Sequence, residues 1–269
     1  MPEPTSSARS SSNKQARLSP PNGGHFEAII FDMGSTLLEF ENVTWPVLYR
    51  FSFNSLYTRL RKLGHHPIPT EQMWERFNTL LDSRRERLRA HMREYQIGPL
   101  LKATVEADGL RLRPGELSQL CDAYYAAVRR QVSAYPDARA TLAALKGAGY
   151  KIGLLSNTPF RAIDHRQELQ HFGLWQYFDA AVFTSTIRYR KPHPAPFKEI
   201  LRRLEAPASR SVYVGDRQKE DVLGPQGVGM TAVLIKRPHR TYDPELSQSA
   251  EICELAELLP LLGIGPSGG

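Results

Sequence analysis

From residue 138 onward the sequence alternates between helix-like and strand-like stretches, and this alternation narrows the possible folds more than any other feature. Apolar residues recur at three- and four-residue intervals over 138–148, 163–171 and Pro194–Leu204. Between and after them come short apolar runs at 150–155, 178–183, 211–214 and Thr231–Ile235, with a further short helix at 221–227. Strands separated by helices must run parallel, because a parallel neighbour is reached only through a return connection of about a dozen residues or more. The expected architecture is α/β, a doubly wound and mostly parallel sheet.

One more strand comes earlier, in FEAIIFDMGSTLL from Phe26, where an apolar run ends in Asp32 and a Gly-Ser-Thr turn. The pattern then changes to helical spacing: Val47, Leu48, Phe51, Leu56, Leu60 and Leu63, then Met73, Phe77, Leu80, Leu81 and Leu88, then Leu117, Leu120, Tyr124 and Val128. Residues 43–134 are therefore expected to be a helical cap inserted into a core made of 25–42 and 135–269. At 269 residues and 41% hydrophobic content, the chain has enough apolar surface for both units.

Residues 1–24 are rich in Ser, Pro, Asn and Gly and are expected to form a disordered, cytoplasmic leader. The most apolar stretch, 28–31, is strand-sized, so no membrane span is expected. Cys121 and Cys253 belong to no CxxC pair and read as buried, reduced thiols. The net charge of +7 includes Arg84, Arg85, Arg87, Arg89 and Arg93 on one helical segment. Glu86 and Glu94 interrupt that run and no nucleic-acid-binding motif accompanies it, so it reads as a solvated helix face.

In an open parallel sheet, ligands bind beyond the carboxyl ends of the strands. The residues found there are Asp32, Ser156, Lys191 and the pair Asp216 and Asp221. Three carboxylates, a hydroxyl and an ammonium on one rim suit a divalent cation that seeks hard oxygens, together with a phosphoryl group. Asp221, at the start of a helix, gains from the helix dipole.

Four segments, in order and at matching spacing, resemble the motifs of the haloacid dehalogenase superfamily: FDMGSTL, LLSNT, RKPHPAPF and VYVGDRQKEDVLGPQGVGM. The resemblance runs from about Phe26 to Leu262 and includes the helical insert, which looks like the cap of these enzymes. It implies a Mg²⁺-dependent hydrolase of a small phosphorylated metabolite, monomeric or homodimeric, that forms an aspartyl-phosphate on Asp32. The implied metal ligands are Asp32, the Gly34 carbonyl, Asp216 and Asp221. Ser156, Asn157 and Lys191 would bind the phosphoryl group, with Lys191 also pairing with the nucleophile. Arg188 and Arg190 read as surface charges.

One position departs from the pattern. Phosphatases of this superfamily usually carry a second Asp two residues after the nucleophile, and here Gly34 stands in its place. A general acid–base contribution, typically about 10²–10⁴-fold, is then absent or supplied from elsewhere, with His65, His66, His91 or Glu39 as candidates. The alternative is a protein of weak or no phosphatase activity that binds a phosphorylated ligand or a protein partner. Phosphonate cleavage would call for a cap lysine such as Lys62 or Lys102. Carbon–halogen cleavage would leave Asp216 and Asp221 as an unexplained cluster of like charges.

Overall fold

The computed structural model of the chain describes residues 17–265. Strands β1 (Ala28–Phe31), β4 (Lys151–Ser156), β5 (Ala180–Phe183), β6 (Ser211–Gly215), β7 (Thr231–Ile235) and β8 (Ala250–Ile252) form a six-stranded parallel sheet in the order β5-β4-β1-β6-β7-β8. The chain builds outward from β1 through β4 to β5, then returns to the other side of β1 for β6 and its neighbours. That reversal puts the topological switch point at β1, flanked by β4 and β6.

The central strands are apolar on both faces, as a sheet covered on both sides requires: every residue of AIIF in β1 and of TAVLI in β7 is buried. Side chains alternate across the sheet. Ile29 and Phe31 join the larger core cluster, whereas Ala28 and Ile30 pack with Phe197, Ile200 and Leu204 of helix α8 (Pro194–Leu204). Pro194 at the first position and the His193 ring nitrogen, which accepts the Ala195 N–H at 3.1 Å, start that helix. Gly153 lets it sit close to the sheet, since a Cβ there would stand 2.8 Å from Leu204 and 3.2 Å from Ile200.

Between β2 (Leu38–Glu39) and β3 (Ser133–Ala134) lie four helices: α1 (Trp45–Lys62), α2 (Thr70–Arg89), α3 (Ile97–Glu106) and α4 (Glu116–Arg129). β2 and β3 pair antiparallel where the chain leaves and rejoins the sheet. The Tyr135 hydroxyl donates to Glu39 at 2.5 Å across the same junction. A chain of rings, Phe77 to Tyr124 at 6.0 Å and Tyr124 to Phe160 at 6.3 Å, carries packing from the helices to the loop after β4.

Several local expectations need correction. The short helix expected at 221–227 is a π-helical turn, Gln218–Leu223, that runs into Gly224–Gln226. β8 is an addition to the expected strands: only three residues long, Ala-Glu-Ile at the sheet edge, it carries no apolar run to mark it. Residues 1–16 of the expected leader lie outside the described residues. The remainder is attached, because Leu18 and Pro20 supply apolar surface: the Leu18 N–H donates to the Leu261 carbonyl at 2.8 Å, and Leu18 packs against the core. Cys121 is buried as expected, but Cys253 is exposed, and both are free thiols.

Candidate active site

Asp32 extends β1 by one residue, its N–H donating to the Val214 carbonyl of β6 at 2.9 Å. Its carboxylate is thereby fixed at the rim of the switch point. Lys191, on the loop before α8, is almost fully buried. Its ammonium donates to Asp32 Oδ1, Asp221 Oδ1 and the Tyr213 hydroxyl, each at 2.7 Å. Three bonds use all three ammonium protons, so the lysine is locked in place. Its backbone is locked as well, by the Asn157 carboxamide, which accepts from Lys191 N–H at 2.8 Å and donates to its carbonyl at 3.1 Å. Asn157, expected on the substrate, lines the cavity while its side chain bonds the Lys191 backbone.

Asp216 and Asp221 are fully buried behind the rim. Asp221 sits in the first turn of the π-helical segment and accepts the Arg217 N–H at 3.0 Å. Gly215 makes room for it, since a Cβ there would stand 2.5 Å from the Asp221 carboxyl carbon. Asp32, Asp216 and Asp221 each offer a carboxylate oxygen, all within 4.8 Å of one another. Burial pushes the Asp32 carboxyl up to about 7, with Asp221 and Asp216 adding to the rise and Lys191 opposing it. Burial and Asp221 raise Asp216 also, against the pull of Arg240.

This donor set fits a divalent oxygen-seeking cation. Asp216 Oδ2 accepts from Arg240 Nε at 2.6 Å, whereas its Oδ1 is buried and has no hydrogen-bond partner. A bare carboxylate oxygen in a cluster of three acids is the orphan that a cation would satisfy. Lys191 and Arg240 contact the three carboxylates directly, and Arg217 also acts on Asp216.

A cavity of about 630 Å³ opens above the rim, lined at its base by Asp32, Gly34, Ser156, Asn157 and Lys191. Of the expected site residues these five face it, while Asp216 and Asp221 stand behind Asp32. Of the residues proposed to replace the missing acid, His65 pairs with Glu116 at 2.8 Å, and none of His65, His66, His91 and Glu39 lines the cavity. Glu39 accepts instead from Tyr135 and from the Glu41 N–H.

Glu41 and Arg240 also line the cavity, and nothing in the sequence singled them out. Glu41 is held by Arg240 at 2.7 Å, and Arg237 donates to the Ser35 carbonyl at 2.6 Å and the Thr36 carbonyl at 3.1 Å, bracing the loop after β1. Arg237 is the second and Arg240 the fifth residue after β7, so the rule that picked out Asp32 and Asp216 reaches the first but not the second. Arg85, Arg89 and Arg190 line the cavity: Arg85 and Arg190 are half-buried, whereas Arg89 is exposed at its edge, so the solvated-face reading fails for Arg85.

No described helix is long and apolar enough to cross a membrane. A glyceraldehyde 3-phosphate phosphatase of Methanothermobacter thermautotrophicus is 36% identical over 38% of this chain and 44% of its own length. The chain spans about half the length of most of the curated relatives it matches, from 43% to 63%, and 77% of a phosphoserine phosphatase of Thermus thermophilus that is 28% identical. The crystal structure of a HAD phosphatase from Thermococcus onnurineus superposes with a TM-score of 0.61 at 29% identity, covering 88% of this chain and 98% of that one. A 2-haloacid dehalogenase from Pseudomonas syringae pv. Tomato superposes at 0.65 with 26% identity and the same coverage. Residues 26–229 match the family model of haloacid dehalogenase-like hydrolases, and the chain belongs to that family.

Proposed function

We propose that the protein is a Mg²⁺-dependent phosphomonoester hydrolase acting on a small phosphorylated metabolite through a phosphoryl group carried on Asp32. The observation that carries this reading is the meeting of three buried carboxylates, one with a bare oxygen, at an ammonium that touches the candidate nucleophile. The names of the curated relatives, among them phosphoglycolate phosphatase and phosphoserine phosphatase, agree with it.

Lys191 holds Asp32 Oδ1, leaving Oδ2 to attack phosphorus as the ester oxygen departs. Water then attacks the phosphoryl group on Asp32, releasing inorganic phosphate and restoring the carboxylate. The Ser156 hydroxyl, at the carboxyl end of β4, and the Lys191 ammonium would steady the phosphoryl oxygens through both steps. Asn157 acts by holding Lys191 in register. Asp32, the Gly34 carbonyl, Asp216 and Asp221 would hold Mg²⁺, with Arg240 turning Asp216 Oδ1 toward it. When bound, the ion neutralises the charge that develops on the phosphoryl oxygens. Residues 43–134 act as the cap over the core, shielding the reacting groups from bulk water.

The test is a panel of phosphorylated metabolites offered to the purified protein with Mg²⁺ and with chelator, beside Asp32→Asn. Mg²⁺-dependent phosphate release by wild type alone is the expected result. Binding of these ligands without turnover would instead establish the alternative that Gly34 raises, a phosphate-binding protein.

A further inference from the structure

The upper part of the cavity has a different character from its base. On α2, Trp74, Asn78, Leu81, Arg85 and Arg89 recur at three- and four-residue intervals, so one helix face turns toward the cavity. Opposite lie Trp45 and Tyr49, one turn apart on α1, with their rings 5.6 Å apart. This wall is aromatic and ends in guanidinium groups.

Arg85 is half-buried, yet among the described residues neither it nor Arg89 forms an ion pair with a carboxylate. The groups that Arg85 touches are neutral, the Tyr49 hydroxyl at 2.7 Å, the Tyr49 ring at 5.1 Å and the Tyr95 ring at 5.8 Å, while Asp82 and Glu94 act on it without an ion pair. Asp82, one turn earlier, is exposed, and Glu94 is already engaged by Arg190 and the Thr184 hydroxyl. A half-buried guanidinium held by rings and a phenol keeps its charge available to an incoming anion.

The base of the cavity bears on the same question. A Cβ at Gly34 would meet Phe40 at 3.6 Å, an ordinary contact, so an acid could be accommodated there and none is present. Both nitrogens of His165, which lines the cavity, are engaged by Tyr125 and Thr158, at 2.8 and 2.7 Å. Glu41 is held by Arg240. With no acid at position 34 and Glu41 tied to Arg240, the leaving oxygen bears most of its own negative charge. A phenoxide does this far better than an alkoxide, since a phenol ionises near pH 10, as tyrosine does.

Resting on the phosphatase reading above, we infer that the substrate is an aryl phosphate whose ring carries a carboxylate, with the ring against Trp45 and Tyr49 and the carboxylate on Arg85 and Arg89. In the reaction the phosphorus–oxygen bond to the ring breaks as the bond to Asp32 forms. The phenolate leaves with the electron pair and takes its proton from water.

The test measures kcat/KM with Mg²⁺ for 4-carboxyphenyl phosphate, phenyl phosphate and phosphoglycolate on the full chain. The carboxylated ester should exceed phenyl phosphate by roughly tenfold or more, the size of one charge-assisted hydrogen bond, and both should exceed phosphoglycolate. Arg85→Gln and Arg89→Gln should each lower the ratio of carboxylated to plain ester by a similar factor. Arg89 is exposed, so its variant reads out even where Arg85→Gln disturbs Tyr49. A ratio near one in wild type, or one that neither variant changes, overturns the inference, as does a preference for phosphoglycolate; in these cases the hydrolase reading survives. Release of phosphate from none of the three overturns both.

Discussion

The Lys191 ammonium stands 2.7 Å from Asp32 Oδ1, tying the loop before α8 to the end of β1 across the switch point of the sheet. Because it also binds Asp221, removing it leaves three carboxylates facing one another with no ammonium among them. Breaking a buried pair in this way costs about 3–5 kcal/mol. Lys191→Met should therefore unfold well below wild type in chelator, and Mg²⁺ should raise its melting temperature more than that of wild type. Equal gains for both proteins, measured by thermal denaturation with and without Mg²⁺, would contradict the assigned cluster.

Asp216 presents a bare Oδ1 while Arg240 fixes Oδ2. Asp216→Asn retains the shape and removes the charge, so calorimetric titration with Mg²⁺ should show a dissociation constant at least about tenfold higher, a difference of about 1.4 kcal/mol. An unchanged constant would mean that the cation binds elsewhere.

Glu94 joins the cap to the core from a buried position, where burial raises its carboxyl above the ordinary value, against the pull of Arg190 and the Thr184 hydroxyl. A carboxyl with a raised folded-state pKa binds its proton more tightly folded than unfolded. Its contribution to stability is fully present below the unfolded value, about 4.3, and is lost as pH rises through the folded value. Denaturant titrations from pH 4 to neutrality should show Glu94→Gln gaining on wild type as pH rises. A constant difference across that range would contradict the assignment.

Gly34 leaves the departing oxygen without an adjacent acid, so wild-type rates should fall steeply as leaving-group pKa increases. Gly34→Asp should flatten the plot of log rate against leaving-group pKa, raising the slowest esters by up to about 10²–10⁴-fold. The nearest neighbour of the new Cβ would be Phe40 at 3.6 Å, so the side chain starts without a clash. A wild-type plot that is already flat would point to Glu41 as the proton donor.

The sheet and its rim were legible because buried parallel strands need unbroken apolar runs, as at Thr231–Ile235, and because residues just past such runs meet at one edge. Asp32, Lys191, Asp216 and Asp221 were brought together by that reasoning alone. The cap wall was not legible. α2 buries only Met73, Phe77 and Leu81, so periodicity locates its core face but cannot say which polar residues on the flanks meet a cavity. Arg85 therefore looked solvated. The part of Asn157 that holds Lys191 was hidden for a related reason: its position after β4 was evident, but its bonds to the Lys191 backbone depend on a loop 34 residues away.

The most direct test is chemical quench of wild type and Asp32→Asn during turnover of radiolabelled phenyl phosphate with Mg²⁺, followed by peptide mapping. A base-labile label on the Asp32 peptide of wild type, absent from the variant along with phosphate release, is the predicted result. Phosphate release that continues in Asp32→Asn, or a label on another residue, would contradict the account.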